Sequence, residues 1–291
     1  MTMWQRRWKE LGGRWFGGPV FALFFALSFS LFLVVPCAAQ PLLTLLEGDA
    51  EVIDSARRLA AKPGLRLAPA SIVETSAATN LLRLEWPDQG VVDLGPATRV
   101  MIAPPGFAAR GAKPPMLYLL QGWLKIGGPA GGVVAPGLEL LPVSGAAVVF
   151  VGNREQFVFA ESGAAEVNER RPGAKPLAVA SGGLYAGNGT VLPFAAPTWL
   201  QRVPRSFRDS IPRRAAVFKD RPVDASVLGL PTYVMLADWL SAERAVRGDF
   251  PRRFGTLAQD AAFRRELQAH LQAHPEWTPV LHPPSTTTNP R

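Results

Sequence analysis

Residues 80–94 read Asn80-Leu81-Leu82-Arg83-Leu84-Glu85-Trp86-Pro87-Asp88-Gln89-Gly90-Val91-Val92-Asp93-Leu94. Leu82, Leu84 and Trp86 share one face and Arg83 and Glu85 the other, the two-residue period of a strand. Pro87 sets φ, Asp88 can bond its own backbone, and Gly90 tolerates positive φ, so 87–90 is a turn and 91–94 the returning strand. Working outward, residues 98–102, 117–126, 146–151 and 156–160 read as further short strands. Gly/Pro-rich stretches at 104–115 and 127–137 divide them. No helix-period stretch of useful length interrupts residues 40–198. The expected fold is therefore mainly β, many short strands in a sandwich- or barrel-like domain over 40–198.

One pattern recurs: an apolar pair, a polar residue, a glycine, then a new strand. It occurs around Gly48 (Leu45-Leu46-Glu47-Gly48), Gly122 (Leu119-Leu120-Gln121-Gly122) and, more loosely, Gly163 (Phe159-Ala160-Glu161-Ser162-Gly163). The irregular spacing excludes a solenoid and suggests a strand–Gly–strand corner used several times. The segment from Gly48 through Gly64-Leu65-Arg66-Leu67-Ala68-Pro69-Ala70-Ser71-Ile72-Val73-Glu74-Thr75 to Ile102 resembles the FecR domain. That resemblance implies a periplasmic β domain serving in envelope signalling, binding or scaffolding. Sigma-regulating members of the family carry a cytoplasmic segment ahead of their membrane span. Here 18 residues precede the first apolar run, too few to fold alone, so a direct anti-sigma role is not expected.

The texture changes near Pro197. Residues 199–282 form a smaller, basic α-helical region, expected to dock on the β domain. Tyr233, Leu236, Leu240 and Val246 predict a helix over 232–247 with Gly248 as its stop. Asp260 as N-cap, with Phe263, Leu267 and Leu271 as a stripe, predicts a second helix ending at Pro275. Residues 206–210 read as one helical turn, and the Pro/Thr-rich tail 283–291 as disordered.

At the start, Arg6, Arg7, Lys9 and Arg14 precede the apolar run 19–35. Cys37 and Ala39 then sit at the −3 and −1 positions of a small-x-small site before Gln40. This is the form of an export signal cleaved between Ala39 and Gln40, with an uncleaved inner-membrane anchor as the competing reading. Either way, residues 40–291 are expected in the periplasm. Cys37 is the one cysteine, so a disulfide framework and a Cys-based zinc site are excluded.

The formal charge of +8 divides unevenly. Residues 40–198 hold 13 cations and 13 acids, whereas 199–291 hold 14 cations and 9 acids. Arg202, Arg205, Arg208, Arg213 and Arg214 lie within 13 residues and form the candidate partner- or anion-binding set. Arginine suits bidentate recognition of carboxylate or phosphate. For an exported chain the expected partner is an envelope protein or an anionic envelope polymer, not nucleic acid. Glu266, His270 and His274 are spaced four residues apart, yet they lack the His-Glu-x-x-His order of a zinc protease, so no metal or other cofactor is expected. No Gly-x-Ser-x-Gly elbow and no Lys-Ser/Thr phosphate loop is present. The expected function is non-enzymatic binding. The alternative is an envelope glycan- or peptidoglycan-acting enzyme with an unidentified carboxylate pair.

Overall fold

The computed structural model describes residues 40–87, 90–107, 115–129, 131–141, 144–219 and 223–283. The export-signal pattern, Ala39 included, and most of the tail lie outside the described residues. Seventeen strands occur among those described: β1 (Leu42–Glu47), β2 (Ala50–Asp54), β3 (Arg57–Ala60), β4 (Ile72–Thr75), β5 (Leu81–Glu85), β6 (Val91–Leu94), β7 (Arg99–Ile102), β8 (Leu117–Gly127), β9 (Val133–Ala135), β10 (Leu138–Leu140), β11 (Ala146–Val151), β12 (Gln156–Ser162), β13 (Ala165–Glu169), β14 (Leu177–Val179), β15 (Leu184–Tyr185), β16 (Val191–Leu192) and β17 (Val227–Gly229). The fold is mainly β with a small C-terminal helical region.

The strands pair into two layers. The first runs β1-β5-β6-β8-β11-β12-β15-β16. The second runs β17-β3-β2-β4-β7-β8-β9-β10-β13-β14, with β8–β9 its one parallel pair among the described residues. β8 belongs to both, because residues up to Gln121 pair with β7 and residues from Gly122 pair with β11. The recurring glycines mark these crossings. Gly48 separates β1 from β2, Gly122 splits β8, and Gly163 separates β12 from β13, each time at a change of layer. At Gly122 the requirement is explicit. Its φ is +101°, and a Cβ there would sit 2.4 Å from the Thr98 Cα. The Thr98 hydroxyl then seals the corner, accepting from Trp123 N at 2.9 Å. Gly48 repeats the arrangement against the Thr79 backbone, with φ +111°.

Between the layers lies the main core, built from Leu82, Leu84, Val92, Leu94, Leu124 and Ile126 on one side and Val52, Val73, Val100 and Leu119 on the other. The outer faces are covered as well. Helices α2 (Tyr233–Leu240), α3 (Arg244–Arg247), α4 (Phe250–Phe254), α5 (Ala261–Ala269) and α6 (Thr278–Leu281) follow a short α1 (Pro197–Leu200). Leu236, Trp239, Phe250, Phe254 and Trp277 from this region pack on Ile53, Ile72, Met101, Tyr118 and Val134 of the second layer. Trp239 Nε1 also donates to Glu74 on β4 at 2.7 Å, which partly offsets the burial that pushes that carboxyl up. On the opposite side, Val203 and Phe207 pack on Leu81 and Val148. The segment after residue 198 thus spans both faces of the β core, and β17 adds an edge strand beside β3.

Two helix boundaries differ from the sequence reading. The expected helix over 232–247 breaks at 241–243, dividing into α2 and α3. Val246 follows Leu240 by six residues, out of phase with one helical stripe, and the break returns it to the buried side. Asp260 caps α5, accepting from Phe263 N at 2.8 Å, but α5 ends at Ala269 rather than at Pro275. The turn over residues 205–208 is a single 3-10 turn.

Candidate functional site

The five arginines have different surroundings. Arg202 pairs with Glu155 and spreads over Phe150, Phe157 and Trp199, its guanidinium carbon 5.3–5.7 Å from their ring centroids. Arg208 donates to Leu200 O at 3.0 Å. Arg213 donates to Trp86 O and lies 3.5 Å from Glu85. Arg214 bonds Glu85 through its backbone N at 2.8 Å, while the side chains of Arg205 and Arg214 are exposed. This segment lies on the polar face of the β5–β6 hairpin. Arg83 holds Asp93 through both fork nitrogens at 2.7 and 2.8 Å and donates to Ile211 O at 2.6 Å. Glu85, 0% exposed, accepts from the Thr44 hydroxyl, Arg214 N and Ala215 N at 2.8, 2.8 and 3.1 Å. The alternation in 80–86 places Arg83 and Glu85 on one face, but what covers that face comes from more than 110 residues away in the chain.

Glu266, His270 and His274 are not brought together. His270 is exposed and stacks on Tyr233, whereas His274 is buried and shares a 3.0 Å hydrogen bond between its Nε2 and the Tyr233 hydroxyl. Burial holds the His274 imidazole below its ordinary range. Among the described residues no group of three His, Cys, Asp or Glu side chains could hold a metal ion. Among them, too, no helix is long and apolar enough to cross a membrane.

Two surface features stand out. The first is apolar. Val227, Leu228, Leu230 and Val234 are 59%, 47%, 54% and 78% exposed. Leu230 and Val234 border a groove of about 400 Å³ lined also by Tyr233, Leu257 and Phe263 and rimmed by Arg265 and Glu266. β17 pairs with β3 alone among the described residues, and its other edge has no strand partner among them. The sequence offered a faint signal for it: residues 225–237 carry no charge.

The second is polar, a cleft of about 470 Å³ among the loops at 136–137, 152–156, 169–171 and 185–188. Its deepest carboxylate, Glu169, accepts from the Tyr185 hydroxyl at 2.9 Å, Arg171 Nε at 2.7 Å and Gly189 N. The Tyr185 and Arg171 bonds hold Glu169 below the usual carboxylate range. Asn188-Gly189 adopts φ +50° and +74° between β15 and β16 and presents that backbone N–H.

No family model and no curated protein matches the chain. Among solved structures it is similar to a provisionally named anti-sigma factor from Parabacteroides distasonis, at 15% identity and a TM-score of 0.33. The overlap covers 42% of this chain and 57% of that one, an extent that carries no argument about activity. The FecR resemblance rests on its sequence motif.

Proposed function

We propose that the protein is a non-enzymatic binding module of the cell envelope that docks a protein partner through the groove beside β17. The observation that carries this reading is the exposed apolar run Val227, Leu228, Leu230 and Val234, which begins on β17, a strand with no second strand partner among the described residues, and leads to the groove. Contiguous exposed apolar surface of this kind marks interaction sites. An open edge adds backbone donors and acceptors, so an extended apolar segment of a partner could pair with β17 while its side chains enter the groove. Periplasmic residence is supported by the basic, apolar and small-residue pattern of 1–39, and a signalling or scaffolding role by the FecR resemblance. The arginine segment enters this reading as a strap on the β core, leaving Arg205 and the Arg214 side chain as its outward cations.

The test is site-specific photo-cross-linking in intact cells. A cross-linker at Val234 is expected to trap one envelope protein that a cross-linker at the exposed Glu166, on β13, does not. Leu230→Asp should abolish the adduct without altering the fold, since Leu230 is exposed. Identical adducts at both positions, or an adduct indifferent to Leu230→Asp, would refute the groove as the docking site.

A further inference from the structure

We infer that the loop cleft bounded by Arg154, Glu155, Glu169 and Arg171 binds a carboxylated sugar unit. It is a second site, independent of the groove beside β17. Its lining alternates donors and acceptors: Asn153, Gln156 and Asn188 amides between paired guanidiniums and carboxylates. Hydroxyl groups both donate and accept, so a polyhydroxylated ligand matches such a lining better than a purely anionic or purely apolar one.

The charge bookkeeping then selects among sugars. Arg170 is paired with Glu243, Arg171 with Glu169 and Arg202 with Glu155. Arg154 is the cleft arginine with no carboxylate partner among the described residues, and it is exposed. One uncompensated guanidinium calls for one negative charge, and its planar fork fits a carboxylate. The cleft already demonstrates the chemistry. It holds its own carboxylate, Glu169, with a guanidinium, a hydroxyl and a backbone N–H from a left-handed turn. Arg202 adds a further element. Bound to Glu155 on the cleft wall and spread over the half-buried Phe150 and Trp199, it holds that carboxylate in place. The loops are tied together, as Gln156 Nε2 donates to Pro136 O at 2.6 Å, which keeps the site formed without ligand.

Calorimetric titration of the purified full chain tests the assignment with three probes: tetragalacturonate, maltotetraose and acetate. Tetragalacturonate is expected to bind with a Kd of roughly 1 mM or tighter, and maltotetraose about tenfold more weakly or worse, the loss of one charge-assisted contact. Acetate should give no saturable heat over the same range. Arg154→Ala should weaken tetragalacturonate binding at least about tenfold, with Arg154→Lys intermediate because it keeps the charge and loses the fork. Absence of tetragalacturonate binding up to roughly 10 mM, against the affinity scale used here, overturns the proposal. So does Arg154→Ala binding as the parent does. Equal binding of maltotetraose would remove the carboxylate, and equal binding of acetate would remove the sugar. Arg154 is exposed and has no partner among the described residues, so its substitution is expected to leave folding unchanged, which the melting temperature verifies.

Discussion

Glu85→Ala probes how the arginine segment is held. The carboxylate sits at 0% exposure on the outer face of β5 and receives three hydrogen bonds, from Thr44, Arg214 N and Ala215 N, with Arg213 at 3.5 Å. Removing it strands one hydroxyl and two backbone donors under the segment. A hydrogen bond to a charged acceptor contributes about 1.5–3 kcal/mol, although the two backbone donors lie close enough to the surface to regain water. Discounting those two to about 0.5–1.5 kcal/mol each leaves about 1–3 kcal/mol holding the segment, since the Thr44 bond joins β1 to β5 and Arg213 is half exposed. Much of that loss should appear locally, because Val203 and Phe207 are the segment's apolar anchors on this face whereas the main core lies elsewhere. The assay is tryptic cleavage under native conditions, read by mass spectrometry at Arg205, Arg208, Arg213 and Arg214. When opening is fast relative to cleavage, the rate follows the open population, so about 1–3 kcal/mol corresponds to roughly five- to hundredfold faster cutting. Glu85→Gln, which keeps an acceptor oxygen, should show a smaller acceleration. Cleavage within threefold of the parent for Glu85→Ala, with the unfolding midpoint unchanged, would refute the view that Glu85 clamps this segment.

Two further outcomes follow from the same geometry. His274 is buried beside Tyr233, with the Arg247–Glu276 pair and His270 as its charged and titratable neighbours, and its folded pKa lies below the ordinary value. Below about pH 6.5 the unfolded chain therefore takes up a proton that the folded chain refuses, and stability falls as pH drops, by up to ~1.4 kcal/mol per pH unit. Urea midpoints between pH 8 and 5 should decline in the parent and less in His274→Gln; superimposable profiles would contradict the assignment. Gly122→Ala meets backbone at 2.4 Å with φ +101°, whereas Gly137→Ala, φ +70°, meets nothing within 4 Å. The first should cost roughly 3 kcal/mol or more and the second about 1 kcal/mol, the left-handed strain alone; equal costs in denaturant titrations would remove the corner role of Gly122.

The strand alternation in 80–94 and the repeated glycines carried the β fold because strand period and positive-φ chemistry are local properties of the chain. Asp260 likewise announced the start of α5 through its capping side chain. The break between α2 and α3 was harder to see. It depends on where the second strand layer lies, and only that packing tells Val246 which way to face. The two surface sites were less legible still. The groove is signalled by no more than an uncharged run, and the cleft gathers loops from 136 to 188 whose proximity is a product of strand pairing.

The charge bias after residue 198 is visible in the sequence alone, but its meaning is not. Composition assigns five arginines to one segment, and a list of cations carries no information about which carboxylates will face them. Tertiary structure brought Glu85 and Glu155 to that segment and left Arg154, outside the arginine-rich stretch, as the cleft arginine without a carboxylate partner among the described residues. Local periodicity determines strands, turns and caps because each is decided within a few residues. Which polar groups end up paired, and which stay available to a ligand, is decided largely by contacts between residues tens to more than a hundred positions apart.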